Sequence, residues 1–271
     1  MRIGVDVGGT FTDFVAWSQD RGWLRLKQPT SRPDPSEGLF RGLQNLIGSP
    51  TPGWQIGHGT TAATNTALEG SGPEVALVTT AGFRDLLTLG RGERLDLYAI
   101  QAPPRASLVK PENCFEVEER LDSKGQVLIP LAGQPCHQLA RTLVQKGIAH
   151  VAVCLLFSYL NPEHELQLSS ILKSYGLQVS LSHEIDPQPK EYERASTTVL
   201  QAYVSPSLDR YLVNLELQLE GCQLWIVRSS GSVCRPAEAI QKAVGCLLSG
   251  PAAGLSGAWH LAQRLQLPRI L

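Results

Sequence analysis

Long apolar runs are missing from this chain. No stretch approaches the roughly 18 consecutive apolar residues that a membrane span requires, so no membrane partner is expected. The opening "MRIGVDV" reads directly as a strand and lacks a charged segment followed by an apolar one, so no signal peptide is expected either. A charge of one sign is also missing. The 24 Lys and Arg stand against 25 Asp and Glu, a formal net charge of -1, which gives no electrostatic footing for nucleic acid or acidic lipid. None of the six cysteines (Cys114, Cys136, Cys154, Cys222, Cys234 and Cys246) forms a CxxC pair, and Cys154 and Cys246 sit inside apolar runs. The six histidines are scattered, with no His/Cys/Asp cluster at metal-ligand spacing. Idle thiols in a reducing cytosol are the reading, hence a cytoplasmic protein.

What is there is ordinary globular composition, 42% hydrophobic and 18% charged over 271 residues, enough for one large domain or two modest ones. Strand-like segments rich in β-branched residues recur: "RIGVDV", "FVAW", "WLRLKQ", "EVALVTT", "HVAVCLLF", "LQVSLS" and "QLWIVRS". Helical stretches alternate with them, namely "PSEGLFRGLQNLI", "QPCHQLARTLVQKG" and "NPEHELQLSSILKSYG". The last opens on Asn161 as N-cap with Pro162 in the first turn, and closes on Gly176. The first three strands follow one another through short turns, an antiparallel meander. The strand–helix–strand order after Gly147 implies a parallel pair. The expected class is α/β, with a mixed β-sheet and flanking helices. The longest helix pattern, from Glu191 to Gly221, contains Pro206, which is expected to kink or divide it.

The densest polar chemistry is in the first turn, "GVDVGGTFTDF". It is not a Walker loop, since no GK[ST] follows, and not a dinucleotide fingerprint, since GxGxxG is absent and a strand follows. A strand–glycine turn–strand can still hold phosphate. Gly8 and Gly9 let backbone N–H groups approach an anion, Thr10 and Thr12 add hydroxyls, and Asp6 at the strand end suits a hydrated Mg²⁺. A plain Gly-Gly hairpin is the alternative, though it does not require Asp6, Thr10, Thr12 and Asp13 together. In "HGTTAATN", His58, Thr60, Thr61 and Asn65 cluster where a strand enters a helix, a place that favours anions. The alternative is that a threonine caps the helix and His58 is a satisfied interior imidazole. Arg84, Arg91 and Arg94 are either guanidinium partners for phosphate or carboxylate, or simply solvated.

"GVDVGGTFTDFV" resembles the first phosphate loop of the hydantoinase A/oxoprolinase family, relatives of the actin, hexokinase and heat-shock ATPase superfamily. "HGTTAATNTALEG", "VALVTTAGFRDLLTLGR", "DLY" (Asp96 to Tyr98), "VAVCLLFSYLNPEHE", "EYERASTTVLQAYV" and "LLSGPAAGLSGA" look like family blocks in family order, over nearly the whole chain. The resemblance implies an ATP- and Mg²⁺-dependent activation of a ring carbonyl by phosphorylation, as in 5-oxoproline or hydantoin cleavage, with acetone carboxylase subunits as cousins. Asp6, Gly8, Gly9, Thr10 and Thr12 would form the nucleotide and Mg²⁺ loop, Asp6 as metal ligand and Asp13 as support. His58, Thr60, Thr61, Asn65 and Arg91 would serve the reaction. Residues 1–182 would be the family's N-terminal domain and 183–271 the start of the next.

The resemblance also marks departures. Relatives carry a second loop of the form DMGGTSTD after the block like "LSGPAAGLSGA", whereas here "WHLAQRLQLPRIL" reaches Leu271. The expectation is therefore a truncated chain that needs a C-terminal half or separate chain with that loop, together with a hydantoinase B-type subunit. The alternative is an inactive remnant or interaction module that keeps the ATPase-like fold. Ser230 and Ser232 stand where relatives tend to have Asn and Gly, which puts any ligand contact of that turn in doubt.

Overall fold

The computed structural model describes residues 1–31, 35–93, 98, 100 and 107–269. Arg94 and Asp96, and residues 101–106 of a proline-rich stretch, lie outside them. In chain order the strands are β1 (Arg2–Val7), β2 (Phe11–Ser18), β3 (Gly22–Pro29), β4 (Gln55–Thr60), β5 (Val75–Thr80), β6 (Cys114–Val117), β7 (Arg120–Leu121), β8 (Val127–Ile129), β9 (His150–Cys154), β10 (Gln178–Leu181), β11 (Gln223–Val227) and β12 (Val233–Cys234). The helices are α1 (Pro35–Ile47), α2 (Ala62–Glu69), α3 (Leu86–Leu89), α4 (Gly133–Gln145), α5 (Glu163–Ser174), α6 (Ser182–Ile185), α7 (Glu191–Gln218), α8 (Pro236–Gln241) and α9 (Ser249–Leu265). They form two compact units, one of Met1–Ser71 with Val204–Leu271, the other of Gly72–Tyr203.

The first unit is built on a six-stranded mixed sheet in the order β12-β11-β4-β1-β2-β3. β1, β2 and β3 form the expected antiparallel meander, while β4 and β11 run parallel to β1. Strand periodicity of two sorts the residues by face. Val5 is level with Phe14 and His58, and Val7 with Thr12 and Thr60, all buried. Asp6, one position on, is level with Asp13 and Gly59 on the other face. The ring of Phe14 lies against Gly42 of α1, which places α1 on the Val5 face.

The second unit holds four parallel strands in the order β10-β9-β5-β6, with a core that includes Val78, Val151, Val153, Leu143, Leu168 and Leu172. β9, α5 and β10 make the expected parallel crossover. The Asn161 carboxamide oxygen accepts from the Glu163 N–H at 3.0 Å, opening α5. Beyond the strand ends lies a buried polar network. Glu165 accepts from the Leu155 N–H at 3.0 Å and the Ser182 hydroxyl at 2.6 Å, and Glu119 bonds Thr80 and His164.

Pro206 does not divide α7, which runs from Glu191 to Gln218 with the proline inside it. Proline in a helix interior costs about 3 kcal/mol. Val204, Leu208, Leu212 and Leu215 are fully buried, and each such side chain contributes roughly 1.5–3 kcal/mol. Burial wins, and the helix continues.

All six cysteines are free thiols. Among the described residues no helix is long and apolar enough to cross a membrane.

Candidate functional site

The turn between β1 and β2 is fastened to the end of β3. The Gly8 N–H donates to the Phe11 carbonyl (3.0 Å), and the Thr30 N–H donates to the Thr10 carbonyl (2.9 Å). The Thr30 hydroxyl donates to the Gly8 carbonyl at 2.8 Å, so the Thr12 hydroxyl, 3.0 Å away, is its donor. Gly8 N–H and the buried Thr12 hydroxyl therefore brace the turn, and neither is turned to a ligand. Gly9 and Thr10 form its exposed tip.

Asp6 is exposed on the opposite face from Thr12. Burial on its inner side holds its carboxyl above the ordinary aspartate range, Asp13 raises it further, and Lys27 pulls it back. Asp13 is satisfied by the Lys27 ammonium at 2.9 Å. Two glycines make room for Asp6. A Cβ on Gly59 would sit 2.8 Å from Asp6 Oδ1, and one on Gly250, in the first turn of α9, 3.3 Å from it. Among the described residues no group of three or more His, Cys, Asp or Glu gathers as a metal cage. A single carboxylate with room around it, destabilised in its charged form, nonetheless fits Mg²⁺, which keeps most of its waters and takes one or two carboxylates beside phosphate oxygens.

The junction of β4 and α2 lies on the other face. The Thr60 hydroxyl accepts from the Ala62 N–H (3.2 Å). The Thr61 hydroxyl donates to the Val7 carbonyl (3.1 Å) and accepts from the Asn65 amide (3.3 Å), tying helix to strand. His58 is wholly buried, and desolvation pushes its pKa down to about 4, so the ring is neutral. Its Nδ1–H points to the Val5 carbonyl at 3.4 Å, and Nε2 accepts from the Tyr211 hydroxyl at 2.8 Å. His58 is thus the satisfied interior imidazole. It touches the site only through Tyr211.

A cleft of about 920 Å³ opens on this face. Its walls include Gly8, Gly9, Thr60, Thr61 and Asn65, which the sequence singled out. Its far wall is one face of α7, with Ser207, Arg210, Tyr211 and Asn214 at helical spacing. The cleft thus gathers five of the expected residues. Asp6, Thr10, Thr12 and Asp13 are outside its lining, as is His58. Arg91 belongs to the second unit, where Glu193 holds its guanidinium at 2.7 Å. Arg194, also in that unit, is fully buried and donates to the Leu155 carbonyl at 2.7 Å.

A mixed sheet with flanking helices and a glycine-rimmed cleft beside a strand turn defines the class as an α/β protein. Known proteins narrow that class. The pattern described as the hydantoinase/oxoprolinase N-terminal region matches residues 2–176, and the hydantoinase/oxoprolinase pattern matches residues 194–271. The chain belongs to the hydantoinase/oxoprolinase family. It is 34% identical over 280 residues to an uncharacterized protein of Methanocaldococcus jannaschii, covering 100% of this chain and 41% of that one. It is 31% identical over 298 residues to 5-oxoprolinase 1 of Arabidopsis thaliana, covering 95% of this chain and 23% of that protein. The crystal structure of the ATP-dependent caprolactamase from Pseudomonas jessenii superposes with a TM-score of 0.85 at 28% identity, over 98% of this chain and 41% of that one. The chain therefore spans less than half the length of these relatives.

Proposed function

We propose that this chain is the N-terminal part of an ATP-dependent enzyme that activates the ring carbonyl of a cyclic amide, of 5-oxoprolinase or hydantoinase type. The observation that carries the reading is the Asp6 carboxylate, desolvated beside the glycine turn with Gly59 and Gly250 leaving space around it. The sheet order β3-β2-β1-β4-β11, with the turn at the end of β1, supports an actin- and hexokinase-like ATPase unit, one side of a two-domain cleft. Asp6 would hold Mg²⁺ and Gly9 and Thr10 would lie along the phosphates, while Thr12 and Asp13 brace the turn through Thr30 and Lys27. Bound ATP would supply a phosphoryl group to the amide oxygen, making the resonance-stabilised carbonyl electrophilic enough for water, with phosphate leaving as the ring opens. Thr60, Thr61 and Asn65 would orient the ring, and His58 would set the Tyr211 hydroxyl. Arg91, engaged with Glu193, is given no part in the reaction. The reading includes a polypeptide bearing the second glycine-threonine loop and a hydantoinase B-type subunit as partners.

The test combines this chain with a polypeptide carrying that second loop and measures Mg-ATP hydrolysis with 5-oxoproline, hydantoin and caprolactam. Hydrolysis that depends on one of these amides and is lost in Asp6→Ala is the expected result. No stimulation by any of them contradicts the reading. A binding module without turnover is the second reading, favoured by the internal use of the Gly8 N–H and the Thr12 hydroxyl. ATP hydrolysis by the 271-residue chain alone, abolished in Asp6→Ala, would count against that reading.

A further inference from the structure

Asp6 and the cleft's Val7 and Thr60 occupy opposite faces of the sheet, while Gly8 and Gly9 of the turn rim the cleft. The Asp6 face suits a cation and phosphate. The cleft has a different character, and among the described lining residues the one lysine or arginine is Arg210, an exposed side chain on α7. No hydrogen bond or ion pair joins the Arg210 guanidinium to a described residue, in contrast to Arg91 and Arg194. A guanidinium presents a planar fork of donors that matches a carboxylate in two parallel hydrogen bonds. The opposite wall supplies the Thr60 hydroxyl and the Asn65 carboxamide, groups that both donate and accept, as a ring amide requires, while the Thr61 proton is committed to the Val7 carbonyl. Beside Arg210, the buried Tyr211 ring has its hydroxyl proton committed to His58 and is fixed in place by that bond. Glu69 is the one carboxylate among the described lining residues and discourages a polyanion.

We propose that the cleft is the substrate subsite for a cyclic amide that bears a carboxylate, and that Arg210 is the residue that selects for that carboxylate. This rests on the cyclic-amide reading above and deepens it. The relatives' names span both kinds of ring, since 5-oxoproline carries a carboxylate and caprolactam does not, so Arg210 supplies a criterion between them. Besides Arg210 the described lining carries one charged side chain, the Glu69 carboxylate, so recognition of a ligand carboxylate falls to the guanidinium.

The experiment is isothermal titration of the 271-residue chain with 5-oxoproline and with 2-pyrrolidinone, the same ring without the carboxylate. Wild-type protein is expected to bind 5-oxoproline about 10- to 100-fold tighter, the range of a hydrogen bond to a charged group. Arg210→Gln should erase that ratio and leave 2-pyrrolidinone affinity unchanged. Arg210→Lys should restore part of it, and a thermal melt of each variant reports folding. Equal affinity for the two rings in wild-type protein overturns the proposal, as does the absence of saturable binding by either. Displacement of 5-oxoproline by ATP in Asp6→Ala protein would assign Arg210 to phosphate, and overturns it too. Nucleotide binding at Asp6 is measured separately, so failure of the ATP reading and failure of this one are distinguishable.

Discussion

Asp6 and His58 stand one register position apart on neighbouring strands, and burial disfavours the charged form of both. The outcomes differ because the faces differ. Asp6 lies exposed near the end of β1 and keeps room around its carboxylate. His58 is uncharged at neutral pH, sealed in the core and fully hydrogen-bonded. The desolvation that poises one group for a cation silences the other as a titrating group. Chemistry is expected to fail on the Asp6 face and stability on the His58 face.

The largest effect expected is on ligand binding. Asp6→Asn should lower Mg-ATP affinity about 100-fold, the upper end for a charge-assisted contact. The same change should leave the melting temperature equal or higher at pH 7. The folded carboxyl titrates above its unfolded value, so whatever stability it contributes is present below the ordinary aspartate pKa and lost as pH rises through the folded one. An Asp6→Asn protein that melts well below wild type would erase the contrast between the faces.

The His58 face should answer in the opposite sense. With a folded pKa of about 4 against 6.5 unfolded, the unfolded chain binds the extra proton. Stability is full above pH 6.5 and falls by about 3 kcal/mol as pH drops toward 4. Urea unfolding across that window measures it, and His58→Leu should flatten this component of the profile. At pH 7 the same variant leaves the Tyr211 hydroxyl without its acceptor and should cost about 1–3 kcal/mol.

Gly59→Ala sharpens the comparison, because its new methyl would press on Asp6 Oδ1 from the sheet side. Mg-ATP affinity is expected to fall roughly 10-fold, with about 1 kcal/mol of stability lost to the overpacked contact. Asp13→Asn marks the lower limit. Its ion pair with Lys27 is solvent-exposed and should be worth less than about 1 kcal/mol in a urea melt.

Much of this was legible in the amino-acid order. Alternating apolar residues gave the meander, and "NPEHELQLSSILKSYG" gave α5 with Asn161 at its start. The same period of two sorts the site, since His58 is in phase with buried Ile56 while Asp6 is out of phase with Val5 and Val7. The loop nonetheless reads as a single cluster, because adjacent letters hide the change of face. Arg210 was invisible for another reason. It comes to line one cleft with the glycine turn only through the tertiary fold, and the faint signal was a polar face at 207, 210, 211 and 214 on a helix that Pro206 was expected to kink or divide. The linear division at 182/183 concerns family regions, and the compact units, Met1–Ser71 with Val204–Leu271 and Gly72–Tyr203, are a separate partition of the chain.

The most direct measurement of the central claim is calorimetric titration of Mg-ATP into the 271-residue chain, in wild-type and Asp6→Asn forms, with Mg²⁺ and again with EDTA. The account predicts saturable binding by the wild type that requires Mg²⁺ and drops sharply in the variant. Equal binding by both proteins, or binding indifferent to Mg²⁺, would contradict the assignment of Asp6 and the glycine turn as the nucleotide's metal and phosphate site.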